Sequence, residues 1–67
     1  DIFAERLKFL LKSNNITQKK LAKDLYLSQS VINEYCKGKK TPSLFVFRMI
    51  CEYFDESADF LLGLKCL

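Results

Sequence analysis

TQKKLAKDLYLSQSVINEYCKGKK, residues 17–40, decides how this chain is read. Thr17 is a good N-cap, and Leu21, Ala22 and Leu25 follow at i, i+1 and i+4, so the pattern predicts a helix over 18–25. Tyr26-Leu27 leaves room only for a tight connection before Ser28, a second N-cap. The next helix is predicted from Gln29 to Lys37. Ile32 anchors it, and Val31, Tyr35 and Cys36 turn partly inward. Gly38 stands where a glycine closes a helix. The outer face of this helix is polar, with Gln29, Ser30, Asn33 and Glu34, and lysines follow it.

Outward from this pair the chain stays helical. On the N-terminal side, Phe3, Leu7, Leu10 and Leu11 fall at i, i+4, i+7 and i+8 of a first helix, 2–13. Arg6, Lys8 and Lys12 are expected largely off that stripe. Asn14-Asn15 suits a left-handed helix stop. On the C-terminal side, Pro42 disfavours helix at Thr41, and Ser43 can cap a helix over 44–54. Its expected core stripe is Phe47, Ile50, Cys51 and Phe54. Ser57 caps a short last helix through Leu62, with Asp59 favourably placed for the helix dipole, and Gly63 stops it.

These 67 residues make one domain, 1–67, of which 49% are hydrophobic, with only two glycines and one proline. That composition suits a compact all-α domain. A chain this short buries only roughly 60% of the surface its unfolded form exposes. The longest apolar run, Leu44 to Phe47, is far too short to span a bilayer, and no signal peptide is visible. Three cysteines (Cys36, Cys51, Cys66), no CxxC and no histidine argue against a metal site and suit reduced thiols. The net charge of +3 is uneven. Residues 1–40 carry nine bases against four acids, and residues 41–67 carry two against four. One end of the chain suits an anionic partner.

Two short helices joined by about three residues have helix-turn-helix spacing, in which the second helix enters the major groove and the first crosses the backbone. RLKFLLKSNNITQKKLAKDLYLSQSVINEYCKGKKTPS (6–43), followed by ICEYFDESADFLLGL (50–64), closely resembles the lambda-repressor-like, or Xre-like, helix-turn-helix family. The resemblance rests on Thr17-Gln18, Leu21-Ala22, Leu27-Ser28, Ile32, Gly38, Pro42-Ser43, Ile50 and Asp59 to Leu62, and covers nearly the whole chain. It implies a five-helix DNA-binding domain with its helix-turn-helix over about 17–37. It also implies a bacterial or phage transcription regulator, expected in the cytoplasm, acting as a homodimer on a near-palindromic operator. Repression is the expected action, although repressors and activators share this fold.

Three departures from the family pattern carry expectations. Where the family usually has glutamate, completing a capping box, this chain has Lys20. Lys19 and Lys20 then have the wrong sign for the helix dipole, which suits a phosphate lying against the helix start. Leu11 and Cys36 stand where an arginine and a glutamate often pair, and are expected to touch. Tyr26 stands where glycine is common, and is expected at positive φ.

The resemblance turns the polar face into a candidate base reader. Gln29 can bond an adenine through N6 and N7, and Ser30 can bond several base edges. Asn33 can reach a base or a phosphate, and Glu34 can accept from cytosine N4 or face solvent. Thr17, Gln18, Lys19, Lys20, Lys37, Lys39 and Lys40 are the candidate phosphate contacts, which set affinity and register without choosing sequence. Val46, Met49 and Tyr53 form a second apolar stripe at i, i+3 and i+7, beyond the core stripe of the fourth helix. It is either covered by the last helix and Leu64 to Leu67, or available to a second copy or a docking region following Leu67. The rival reading is a protein-interaction module, such as an antitoxin or a scaffold that has lost operator reading. An enzyme is disfavoured: there is no histidine, no glycine-rich phosphate loop, no acid-base pair and no cofactor motif.

Overall fold

A computed structural model describes residues 1–66. It contains α1 (Ile2–Ser13), α2 (Gln18–Leu25), α3 (Gln29–Cys36), α4 (Leu44–Phe54) and α5 (Ala58–Leu61), with no strand among the described residues. Every helix starts on a side-chain cap. Asp1, Thr17, Ser28, Ser43 and Ser57 each accept from the backbone N–H three residues on, at 3.0–3.2 Å. Such a cap typically contributes ~1 kcal/mol over alanine.

Every helix also stops in the same way. A residue at positive φ follows each one: Asn15, Tyr26, Gly38, Asp55 and Gly63. Behind it an N–H reaches the carbonyl five residues back: Ile16 to Leu11, Leu27 to Ala22, Lys39 to Glu34, Glu56 to Cys51 and Leu64 to Asp59, at 2.8–3.0 Å. These bonds satisfy carbonyls that the helix ends would otherwise orphan. Tyr26 takes the expected left-handed conformation, φ 59°, with its ring 95% exposed. The last helix ends at Leu61, one residue short of expectation, because Leu62 is already the C-cap before Gly63.

The core draws one fully buried residue from each helix: Leu7, Leu21, Ile32, Ile50 and Leu61. Phe3 joins α1 to α3 and α4 through edge and tilted contacts with Tyr35 and Phe47. Leu11 and Cys36 are both buried in the same core cluster. Tyr35 and Cys36 are wholly buried rather than partly inward.

One expectation fails and another holds only in part. Arg6 does not lie off the α1 stripe: it is buried. Its Nη1 donates to the carbonyls of Phe60 (3.0 Å) and Lys65 (2.8 Å), and its guanidinium stands 4.7 Å from the centre of the Phe60 ring. The carbonyl end of α5 and an aromatic face together make a cation site there. The α4 stripe does face the core, with Phe47, Cys51 and Phe54 packed against it, but less deeply than expected. Only Ile50 is buried, while Phe47, Cys51 and Phe54 are half-buried. A four-residue α5 is too short to cover α4, and Leu64 is itself exposed; Leu67 lies outside the described residues.

The ends of the fold meet at one corner. A Cβ added to Gly63 would stand 2.6 Å from Ile2 Cγ1, an approach only glycine permits, and Gly38 lies against Asp1.

Candidate nucleic-acid interface

The candidate residues come from three places that the fold sets side by side: the start of α2, the outer face of α3 and the loop after it. The tight turn at Tyr26-Leu27 packs α3 against α2 through Leu21, Ala22, Leu25 and Ile32. That leaves Gln29 and Ser30, in the first turn of α3, exposed. Asn33 and Glu34, one turn on, are half-buried.

The structure brings Asn33 to Gln18. Asn33 Nδ2 donates to Gln18 Oε1 at 3.2 Å, so a candidate base reader and a candidate phosphate contact orient one another. Thr17 spends its hydroxyl on the N–H of Lys20, which caps α2. The other half of a capping box is missing, since no acid occupies the first turn of α2. Lys19 is exposed there, as are Lys37, Lys39 and Lys40 after α3.

Lys20 is engaged otherwise. Its Nζ lies 3.0 Å from Asp24 Oδ2, one turn along α2. The same oxygen accepts a 2.6 Å hydrogen bond from the phenol of Tyr53 on α4. That bond first, and the Lys20 ammonium second, hold the Asp24 carboxyl below the usual carboxylate range. The carboxylate in turn pushes the Tyr53 phenol up. Sequence reasoning passed over Asp24. The i,i+4 spacing from Lys20 was a legible signal, but nothing local points to Tyr53.

On α4, Val46, Met49 and Tyr53 are half-buried and packed against the core. Leu44 (85%) and Phe45 (68%), at the start of the helix, are far more open. Cys36, Cys51 and Cys66 are free, and burial raises the thiol pKa of the first two. Among the described residues, no group of three His, Cys, Asp or Glu residues could hold a metal ion, and no helix is long and apolar enough to cross a membrane.

Comparison with known proteins agrees with this geometry. The profile of a helix-turn-helix family matches residues 7–61, from α1 to the end of α5. The HTH-type transcriptional activator BcrR of Enterococcus faecalis is 35% identical over 61 residues, a match covering 91% of this chain and 30% of that protein. The chain therefore spans less than a third of its relative's length. No solved structure matches it.

Proposed function

We propose, on the premise that this chain belongs to the lambda-repressor-like helix-turn-helix family of DNA-binding transcription regulators, that it reads a double-stranded operator with α3 in the major groove. The observation that carries this reading is the Asn33–Gln18 bond. It adds a polar tie between α3 and α2, whose apolar packing presents Gln29 and Ser30 beside a helix start bearing Lys19 and Lys20. A groove reader needs that arrangement: donors and acceptors at the base edges, and positive charge where the phosphates run. In this reading Gln29 and Ser30 contact bases, with Asn33 and Glu34 behind them. Thr17, Gln18, Lys19, Lys20, Lys37, Lys39 and Lys40 line the backbone on either side. Gln18 uses its oxygen on Asn33, which leaves its amide N–H groups for a phosphate.

The reading includes a homodimer on a near-palindromic site, since one 67-residue domain covers only a half-site. The exposed start of α4 supports it: Leu44 and Phe45 are open, and half-buried Val46, Met49 and Tyr53 lie along the same helix. Repression, which needs only occupancy of an operator, is the mode we propose. The Enterococcus faecalis relative is named an activator, and a promoter reporter with and without the protein decides the sign.

The test is selection from a randomised duplex pool, followed by titration of the winner at two salt concentrations. A short palindrome with steep salt dependence is expected. A pool that shows no enrichment and no salt-sensitive binding overturns the reading in favour of a protein-interaction module.

A further inference from the structure

We propose that Asp24 is a built-in competitor for the DNA phosphate at Lys20, and that Tyr53 holds it in that role. This rests on the phosphate contact assigned to Lys20 above.

The geometry is a three-residue chain across two helices. Lys20 Nζ and the Tyr53 hydroxyl converge on one carboxylate oxygen, Asp24 Oδ2, at 3.0 and 2.6 Å. The lysine side chain is 62% exposed and the aspartate side chain 29%. Lysine four residues before aspartate is the weaker order for a helical ion pair, so the pair adds little to the helix. A free surface carboxylate would rotate away from an arriving phosphate. This one is tethered from α4 by a short, charge-assisted hydrogen bond.

Two effects follow from the tether. The phosphate must displace a carboxylate already seated on the Lys20 ammonium. The displaced carboxylate then stays close by and repels the phosphate. Lys20 therefore delivers less than a free lysine would. The loss falls equally on every DNA sequence, because phosphates carry no base information. Asp24 thus sets how tightly the domain holds DNA in general, without touching what α3 reads.

The test compares wild type, Asp24→Asn, Tyr53→Phe, Lys20→Met and the Lys20→Met/Asp24→Asn double variant on the selected duplex and on an unrelated duplex. Each protein is first shown to be folded by circular dichroism. The asparagine keeps an oxygen for Tyr53 and loses only the charge. Asp24→Asn is expected to tighten binding about threefold on both duplexes and to steepen the salt slope by up to about one. Tyr53→Phe is expected to tighten it by a smaller factor, and it tests the tether even where the asparagine variant folds poorly. In the Lys20→Met background the asparagine change is expected to give a clearly smaller gain, because only the direct repulsion between carboxylate and phosphate is left to remove.

Unchanged or weaker binding by Asp24→Asn overturns the proposal. So does equal tightening with and without Lys20, which would make Asp24 a general negative charge. Failure of the DNA-binding reading itself is distinct, because it shows in the wild-type titration before any variant is compared.

Discussion

The Asn33 amide donates to the Gln18 carbonyl oxygen across 3.2 Å, joining the start of α2 to the middle of α3. The two residues are 15 apart in sequence, and the turn between their helices is what lets them meet. Asn33→Ala and Gln18→Ala should each weaken operator binding by about tenfold, the scale of one good base or phosphate pairing. Combined, they should cost less than the sum, with a coupling of about 0.5 kcal/mol or more. Strict additivity in a double-mutant cycle at fixed salt would mean the bond plays no part in presenting α3.

Arg6 makes a different kind of prediction, one of stability. Its two carbonyl partners lie 54 and 59 residues away, so it ties α1 to α5 and to the stretch after it. Hydrogen bonds to a buried charged group contribute about 1.5–3 kcal/mol, and Arg6→Ala should cost on the order of 2–4 kcal/mol in denaturant unfolding. Arg6→Lys should recover only part, because an ammonium lacks the planar face that the guanidinium lays on the Phe60 ring while its Nη1 serves both carbonyls. DNA affinity of the remaining folded protein should be unchanged.

Tyr26 should be improvable. Its φ of 59° is a conformation glycine adopts freely, and its side chain is almost wholly in solvent. Left-handed geometry costs a side-chain-bearing residue about 1–2 kcal/mol, partly offset by glycine's larger loss of chain entropy. Tyr26→Gly should therefore stabilise by about 1 kcal/mol, visible as a rise of ~4–8 °C in Tm. A fall in Tm would show that the exposed ring contributes to the fold.

The Asp24–Tyr53 pair sets a pH window with a definite sign. Tyr53 first and Lys20 second lower the Asp24 pKa, so the stability it contributes is present above 3.8 and is lost as pH falls through the folded value. The Tyr53 phenol is raised by the same carboxylate. Its contribution is present below pH 10.0 and is lost as pH rises through the folded value. Thermal unfolding across pH should show both limbs flattened in Asp24→Ala. Limbs identical to those of the wild type would place the dependence on other groups.

The helices were legible in the sequence because their punctuation is local. Thr17, Ser28, Ser43 and Ser57 each bond a backbone N–H only three residues on, and a pattern reader sees both ends of such a bond. Gly38, Asn15 and the unusual Tyr26 were legible for the same reason; Asp55, which takes the same conformation, carries a weaker signal. Arg6 was misread because periodicity assigns a charge to the solvent side, and the carbonyls that bury it belong to the far end of the chain. The α4 stripe was legible, but its shallow burial was not, because the sequence offers apolar residues without saying how much helix remains to cover them. At the candidate interface the exposed positions of α3 could be read off the helix face. The bonds that organise them, Asn33 to Gln18 and Tyr53 to Asp24, form between helices and leave no periodic trace.

The meeting of Gly63 with Ile2, and of Lys65 with Arg6, makes the backbone nearly a closed ring. A pull applied through both ends enters at that single corner and loads the contacts of the tail with α1 ahead of the buried core. With Gly38 lying against Asp1, the same corner borders the C-terminal end of α3, one helix length away from the Gln29–Ser30 end.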